Sequence, residues 1–380
     1  MSPGEDVRTA SAALALFLAG LIDETEACRR LGLAAGELGP ALAEHGLTDT
    51  AMTPVDVDGE LNVLYRDLGR SAFDRPLFDQ VAALGAGTSA GLQFQLSAGA
   101  ILEPPAGMLP PAPVGLIFHV GRCGSNLLCN LLAGVSGVVV LREPELFNAL
   151  FLRLGRERSQ QVRDWLEALA ERLLRSLAHG VRRDEGGRPR RGVVKFSSWN
   201  GLFAEPLMKR LSGAPAVVVV REPWATVASY LEEPPYWYDR GRKSRTESAR
   251  YFAGNWSAVT ACALGLEPER TLIVGYGELT GDPAGVLERV CRLFGIAAAP
   301  ADARAALAVM SVYSKSTTGE PYDPATRRRE DLDPALEELV TRITRKSWAA
   351  LQERMSGVLA PGQDSVGERE GRENGRSSRI

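Results

Sequence analysis

Histidine and cysteine are scarce in this chain, three of the one and five of the other among 380 residues. The cysteines, at positions 28, 123, 129, 262 and 291, are scattered, odd in number and free of CxxC or Cys/His spacing. That pattern excludes a disulfide framework and shows no Cys/His metal spacing, and it fits a reducing cytoplasm. No apolar run approaches the roughly 18 residues that would cross a bilayer, so no membrane partner is expected. The run Ala10 to Ile22 follows Glu5 and Asp6, carries one Arg before it and ends in Asp23-Glu24 without a clear cleavage site. It reads as an amphipathic helix and not as a signal-peptide core. Neither charge sign dominates, with Lys+Arg 44 against Asp+Glu 47, so no global basic field exists to hold nucleic acid and any anion must be bound by a local site.

What is present is ordinary in amount, 45% hydrophobic and 24% charged, and informative in order. Length suggests about two or three domains. Residues 9 to 47 predict helices, and the two short ones around Gly32 resemble a helix-turn-helix. The second offers Glu37 and Glu44 where a DNA reader would offer Arg, Asn or Gln, so a packing or homodimerisation appendage is expected instead. Residues 48 to 110 read as irregular and end in the proline-rich connector EPPAGMLPPAP, which cannot continue a helix or a central strand. The expected organisation is therefore an extension over 1–110, an α/β domain over 111–355 and a polar, disordered tail over 356–380.

Beyond residue 110, apolar runs recur at Val114 to Val120, Gly137 to Leu141, Gly192 to Phe196, Ala216 to Val220 and Thr271 to Gly275. Continuous runs of this kind suit parallel strands covered on both faces. Helical periods lie between them, with Val162, Trp165, Leu166, Leu169, Leu173 and Leu177 on one stripe. A three-layer, doubly wound parallel sheet follows. The basic stretch Arg182 to Arg191, with its glycines and proline, reads as a solvated loop.

Two segments carry candidate anion sites. LIFHVGRCGSNLLCN, Leu116 to Asn130, is a buried strand running through a glycine turn into a helix. Gly121 and Gly124 allow the tight turn, the helix opening at Ser125 adds its positive end, and Arg122 adds a cation. A nucleoside-triphosphate loop needs a Lys directly after its last glycine, and none is here. At the end of the fourth strand, Arg221 leaves AVVVV and Ser229 follows eight residues later, so a guanidinium and a hydroxyl can converge on one phosphate.

With YGELTGDP downstream, these blocks resemble the PAPS-dependent sulfotransferase family in order and spacing. The resemblance covers residues 112 to about 298 and implies a P-loop-like sulfotransferase fold. It implies that Gly121, Arg122, Cys123, Gly124, Ser125 and Asn126 form the 5'-phosphosulfate loop. It also implies that Arg221 and Ser229 bind the 3'-phosphate and that Tyr276 lies near adenine. One departure stands out: many cytosolic members stack adenine on a Trp where this chain has Leu127, which leaves Trp199 or Trp224 for the task. The helix after Tyr276 is expected to be structural, with Asp282 as N-cap, Pro283 at N1 and Gly295 ending it.

Sulfuryl transfer from PAPS to a hydroxyl or amine of a small-molecule or carbohydrate acceptor, releasing PAP, needs cations near the leaving oxygen and a base, and no metal is required because the transferred sulfuryl carries less charge than a phosphoryl. Arg122 and Lys195, the latter ending the third strand, are the candidate cations. Glu143, in a segment that resembles the Glu-Pro-x-x-Phe stretch of glutamate-using members, is the candidate base, with Glu145 and His119 as rivals. His45 and His179 lie outside the motifs. Residues 232 to 252, mixing aromatics with cations, are expected to shape an acceptor pocket or lid. Ser314, Lys315 and Arg327, in the loop 312–329, fall where the family brings a late basic loop over the 3'-phosphate. A catalytically silent PAP-binding protein and a kinase-like phosphotransferase are the other readings.

Overall fold

The computed structural model describes residues 12–45, 47, 50–68, 77–85, 92–105, 109–183, 188–235, 238–239, 241, 243–308 and 332–358. The parallel sheet consists of β4 (Gly115–His119), β5 (Val138–Arg142), β6 (Arg191–Lys195), β7 (Ala216–Val220) and β8 (Thr271–Gly275), in the order β5-β6-β4-β7-β8. Every residue of β4, β5 and β7 is buried. Runs such as AVVVV are apolar on both faces because helices cover both, and parallel neighbours can be joined only through such crossovers. The fold is α/β and doubly wound, as the apolar runs predicted. The chain leaves β4 to build β5 and β6 on one side, then crosses over β4 to build β7 and β8 on the other. This reversal at β4 is the switch point where sheets of this kind place ligands, off the carboxyl ends of their strands.

Phenylalanines wedge the layer beneath those ends. Phe118 stacks on Phe196 with centroids 5.0 Å apart, and Phe147 meets Phe196 edge-on at 5.4 Å. Two of them adjoin candidate site residues in sequence: Phe118 precedes His119, and Phe196 follows Lys195. Such pairs contribute about 0.5–1.5 kcal/mol beyond their area, and here they fix the strand tips that carry polar groups.

The segment expected to be irregular contains a second sheet. Strands β1 (Met52–Val57), β2 (Asn62–Asp67) and β3 (Gln93–Ser97) pair antiparallel in that order. Asp58-Gly59 begins the β1–β2 connection, with Asp58 Oδ1 accepting from the N–H groups of Glu60 and Asn62. The N-terminal residues dock on the Gln160–Gly180 helix. Ser176 Oγ donates to the Ala19 carbonyl at 2.6 Å, Arg172 donates to the Ile101 carbonyl at 3.0 Å, and Gly180 packs on Thr53 so closely that a Cβ would lie 2.3 Å from its hydroxyl. One hydrophobic cluster runs continuously from Leu16 to Leu351. On the same helix the expected stripe is buried only from Leu166 onward, since Val162 and Trp165 are each 37% exposed.

Two smaller expectations meet different fates. The Pro283–Leu293 helix starts with Asp282 accepting from Gly285 N–H at 3.0 Å and is followed by Gly295 at φ 62°. The stretch 232–252, read as a loop, already turns helical at Arg245, where Ser244 and Glu247 form a reciprocal capping box at the start of the Arg245–Leu264 helix. Ser314, Lys315 and Arg327 lie outside the described residues.

Candidate active site

The sheet order sets five candidate groups side by side, one per strand end: Glu143 after β5, Lys195 at the end of β6, the glycine turn after β4, Arg221 after β7 and Tyr276 after β8. The turn has the backbone its glycines permit. Gly121 and Gly124 sit at φ 81° and 80°, with Arg122 between them at 48°. Gly124 then caps the Ser125–Ala133 helix, so the positive helix end faces the turn. Both glycines are also needed for space. A Cβ on Gly121 would lie 1.7 Å from the Tyr230 hydroxyl, and one on Gly124 would lie 2.9 Å from the Tyr276 ring. Cys123 is fully buried and burial raises its thiol, which suits a packing role for the side chain and leaves the backbone as the useful part of this residue.

Glu143 and Lys195 are brought into contact. The Lys195 ammonium, 1% exposed, donates to Glu143 Oε1 and, at 2.9 Å, to the side-chain carbonyl of Asn126 on the first turn of the loop helix. Burial of a lysine is tolerated because both partners are present. Glu143 has a left-handed backbone, φ 54°, and its N–H donates to the Lys195 carbonyl at 2.6 Å. Among the described residues only Leu61, Arg122 and Glu143 are non-glycines with positive φ. Two of the three stand at this site, and such conformations, costing about 1–3 kcal/mol, persist where surrounding contacts impose them.

The rivals are placed differently. His119 Nδ1 accepts from the Gly121 N–H at 3.0 Å, which puts the ring proton on Nε2, 2.9 Å from the Phe196 carbonyl. Nε2 lies 3.9 Å from Glu143 Oε1, so the imidazole braces the turn from below. Glu145 is exposed, and its N–H faces Asp79 Oδ1 at 3.4 Å. Burial, with the charges of Glu145 and Asp56 added, pushes the Asp79 carboxyl up to about 6 against the lowering effect of that N–H. Asp79, on the Phe78–Gly85 helix, thus brings the N-terminal region to the rim of the site, and nothing in the motifs pointed to it.

Arg122 and Arg221 clasp the turn to the next crossover. Arg221 donates from one Nη to the Arg122 carbonyl at 3.0 Å, its guanidinium lies 4.5 Å over the Tyr276 ring, and its own carbonyl accepts from Trp256 Nε1 at 3.0 Å. Arg122 reaches the other way, to Glu233 Oε2 at 2.7 Å and to the Glu233 carbonyl, with its guanidinium 5.6 Å from the Tyr230 ring centre. Ser229 is half-buried on the Pro223–Glu232 helix, one residue before Tyr230. Trp199 and Trp224 are half-buried, edge-on to Phe203 at 6.3 Å and to Trp348 at 5.9 Å.

A phosphate-bearing ligand fits these residues on two observations. Arg221 Nε is buried without a hydrogen-bond partner, an unmet donor on a cation at the site. Side chains are excluded at Gly121 and Gly124, where a Cβ would run into Tyr230 and Tyr276, so the turn presents bare backbone.

Residues 116–300 match the model of the Sulfotransferase family. This stretch is a sulfotransferase-family domain. The chain is similar in structure to the sulfotransferase domain of the Synechococcus PCC 7002 olefin synthase, with TM-score 0.39 and 19% identity over 66% of this chain and 96% of that one. Sulfotransferase STF9 from Mycobacterium avium gives 0.41 and 13% over 63% and 77%. Mouse sulfotransferase SULT7A1, complexed with PAP, gives 0.39 and 14% over 65% and 89%. No curated protein matches the chain. The sulfotransferase domain so bounded contains every strand-end group described above, while Asp79 comes from outside it. Among the described residues, no helix is long and apolar enough to cross a membrane.

Proposed function

We propose that the protein transfers a sulfuryl group from PAPS to a hydroxyl or amine of a small-molecule or glycan acceptor, with Glu143 as general base. The observation that carries this reading is the row of one polar group per strand end, Glu143, Lys195, the 121–126 turn, Arg221 and Tyr276, across the switch point of a sulfotransferase-family sheet. When bound, PAPS supplies the sulfuryl group and a phosphate leaving oxygen.

In this reading the turn N–H groups beyond Gly121, whose own N–H is held by His119, and Ser125 hold the 5'-phosphosulfate, and Arg221 with Ser229 holds the 3'-phosphate. Tyr276, already under the Arg221 guanidinium, borders the nucleotide. Lys195 sits between the base and the loop helix. From there its ammonium can follow the negative charge from the Glu143 carboxylate to the leaving oxygen. Arg122 adds a second cation once it leaves Glu233. Glu143 receives the acceptor proton as the acceptor oxygen or nitrogen bonds to sulfur. The bond from sulfur to the phosphate oxygen breaks, and its electron pair leaves on PAP. Positioning, charge stabilisation and proton removal are all the chemistry demands. A cytoplasmic location belongs to the same reading and is supported by five free thiols.

Calorimetric titration of the purified full chain with PAP and with ATP tests it. PAP is expected to bind and ATP is not, and comparable binding of both overturns the reading.

A further inference from the structure

Tyr230, directly after Ser229, packs its hydroxyl against the glycine turn. It lies in the last turn of the Pro223–Glu232 helix, 7% exposed. Its ring is locked flat on Phe252, with centroids 4.5 Å apart and planes 9° from parallel. This orientation drives the hydroxyl back to the end of β4. There it rests against Gly121, at the spot where a Cβ on that glycine would lie 1.7 Å from it and 3.3 Å from Ser198 Cβ. The contact to Ser198 Oγ is 3.4 Å, at the long limit for two hydroxyls and therefore weak. A buried hydroxyl with so loose a hold has donor capacity to give.

Its surroundings indicate what it would give it to. Burial pushes the phenol up to about 12, with the nearby Glu143 and Cys123 raising it further and Ser198 and Arg122 lowering it. Tyr230 therefore keeps its proton at any working pH and can serve only as a neutral donor. Its ring centre lies 5.6 Å from the Arg122 guanidinium, and its hydroxyl neighbour Ser198 stands three residues beyond Lys195, which holds Glu143; Arg122 and Glu143 are the groups assigned to the two ends of an in-line transfer. In such a transfer the moving group sits between the base side and the leaving-group side.

We propose that the Tyr230 hydroxyl, seconded by Ser198 Oγ, donates to the oxygens of the transferred sulfuryl group, so that the site distinguishes the loaded donor from its product. This rests on the PAPS reading above. No bond of Tyr230 is made or broken; it holds the group and supports the charge that spreads over its oxygens. Recognition by a hydroxyl that stays protonated near neutral pH sets no second anion beside the sulfuryl charge.

Tyr230→Phe removes the hydroxyl and keeps the stack on Phe252. Titrating PAPS and PAP into the wild-type chain and this variant is expected to show PAPS weakened about tenfold or more, as for a lost hydrogen bond to a charged group. PAP should stay within about twofold. Ser198→Ala should weaken PAPS by a smaller factor with the same selectivity. A parallel loss of PAPS and PAP, or no loss of either, overturns the role of Tyr230 while leaving the PAPS reading intact. A wild-type chain that binds neither nucleotide overturns both.

Discussion

The guanidinium of Arg221 donates to the backbone carbonyl of Arg122 at 3.0 Å, so the residue proposed to bind the 3'-phosphate also holds the loop proposed to bind the 5'-phosphosulfate. The two ends of the donor site are one mechanical unit. Arg221→Ala should remove a phosphate partner and free the loop at once, weakening PAP by at least about 30-fold, as when one member of a buried charged pair is truncated. Arg221→Lys should not restore it, because a point charge cannot reach the carbonyl, the Tyr276 face and a phosphate together. Calorimetry decides this, and full rescue by Lys would contradict it.

Arg122 is engaged before any donor arrives. Its side chain is 14% exposed, whereas the Glu233 carboxylate that holds it is 71% exposed. An incoming polyanion competes with that carboxylate for one guanidinium. Glu233→Gln should therefore tighten PAP several-fold and quicken its association. The gain should shrink at high salt, since an exposed charge is readily screened. Weaker binding by the variant would mean that Glu233 orients Arg122 for the donor instead of competing with it.

Glu143 and Glu145 are separated by their partners. Glu143 meets Lys195, and Glu145 faces outward above Asp79. Glu143→Gln should bind PAP much as the wild type does and lose transfer by about 10²–10⁴-fold, the usual worth of a positioned base. Glu145→Gln should retain transfer within a few-fold. A rapid assay with a simple phenol or amine acceptor would expose a reversed order.

Much of this was legible in the residues. The apolar runs marked every parallel strand because burial on both faces leaves no alternation to misread, and the glycines marked the turn because φ near 80° demands them. The missed parts share a cause. The antiparallel sheet over residues 52–97 has short strands, β1 buried nearly throughout and broken in register at Pro54–Asp56, β2 and β3 partly exposed and rich in polar positions, although Asp58-Gly59 was a readable hairpin cue. Likewise Ser244 and Glu247 offered a capping box inside a stretch read as loop. Asp79, Ser198, Tyr230 and Glu233 reach the site through tertiary packing, with sequence separations of 66 between Asp79 and Glu145 and 111 between Arg122 and Glu233. No local pattern reports such meetings.

His179, set aside as lying outside the motifs, has a structural duty that acid should reveal. At the end of the Gln160–Gly180 helix its ring packs so tightly on Gly20, φ 71°, that a Cβ there would lie 2.4 Å from it. Burial, helped by the charge of Arg182, lowers its imidazole to about 3. The folded chain thus refuses a proton that the unfolded chain accepts below about 6.5. Stability is unaffected above that pH and falls by about 1.4 kcal/mol for each unit below it, until the folded form itself titrates near 3. Urea unfolding at neutral pH and at mildly acid pH should show this loss in the wild type, and His179→Leu should reduce the slope by the same amount. Because Gly20 belongs to the segment docked through Ala19 on Ser176, the acid-weakened contact is that between the N-terminal region and the helix. Gly20→Ala should loosen the same contact at neutral pH, and protection of residues 12–22 from amide exchange that matched the wild type would show that His179 is not what holds them.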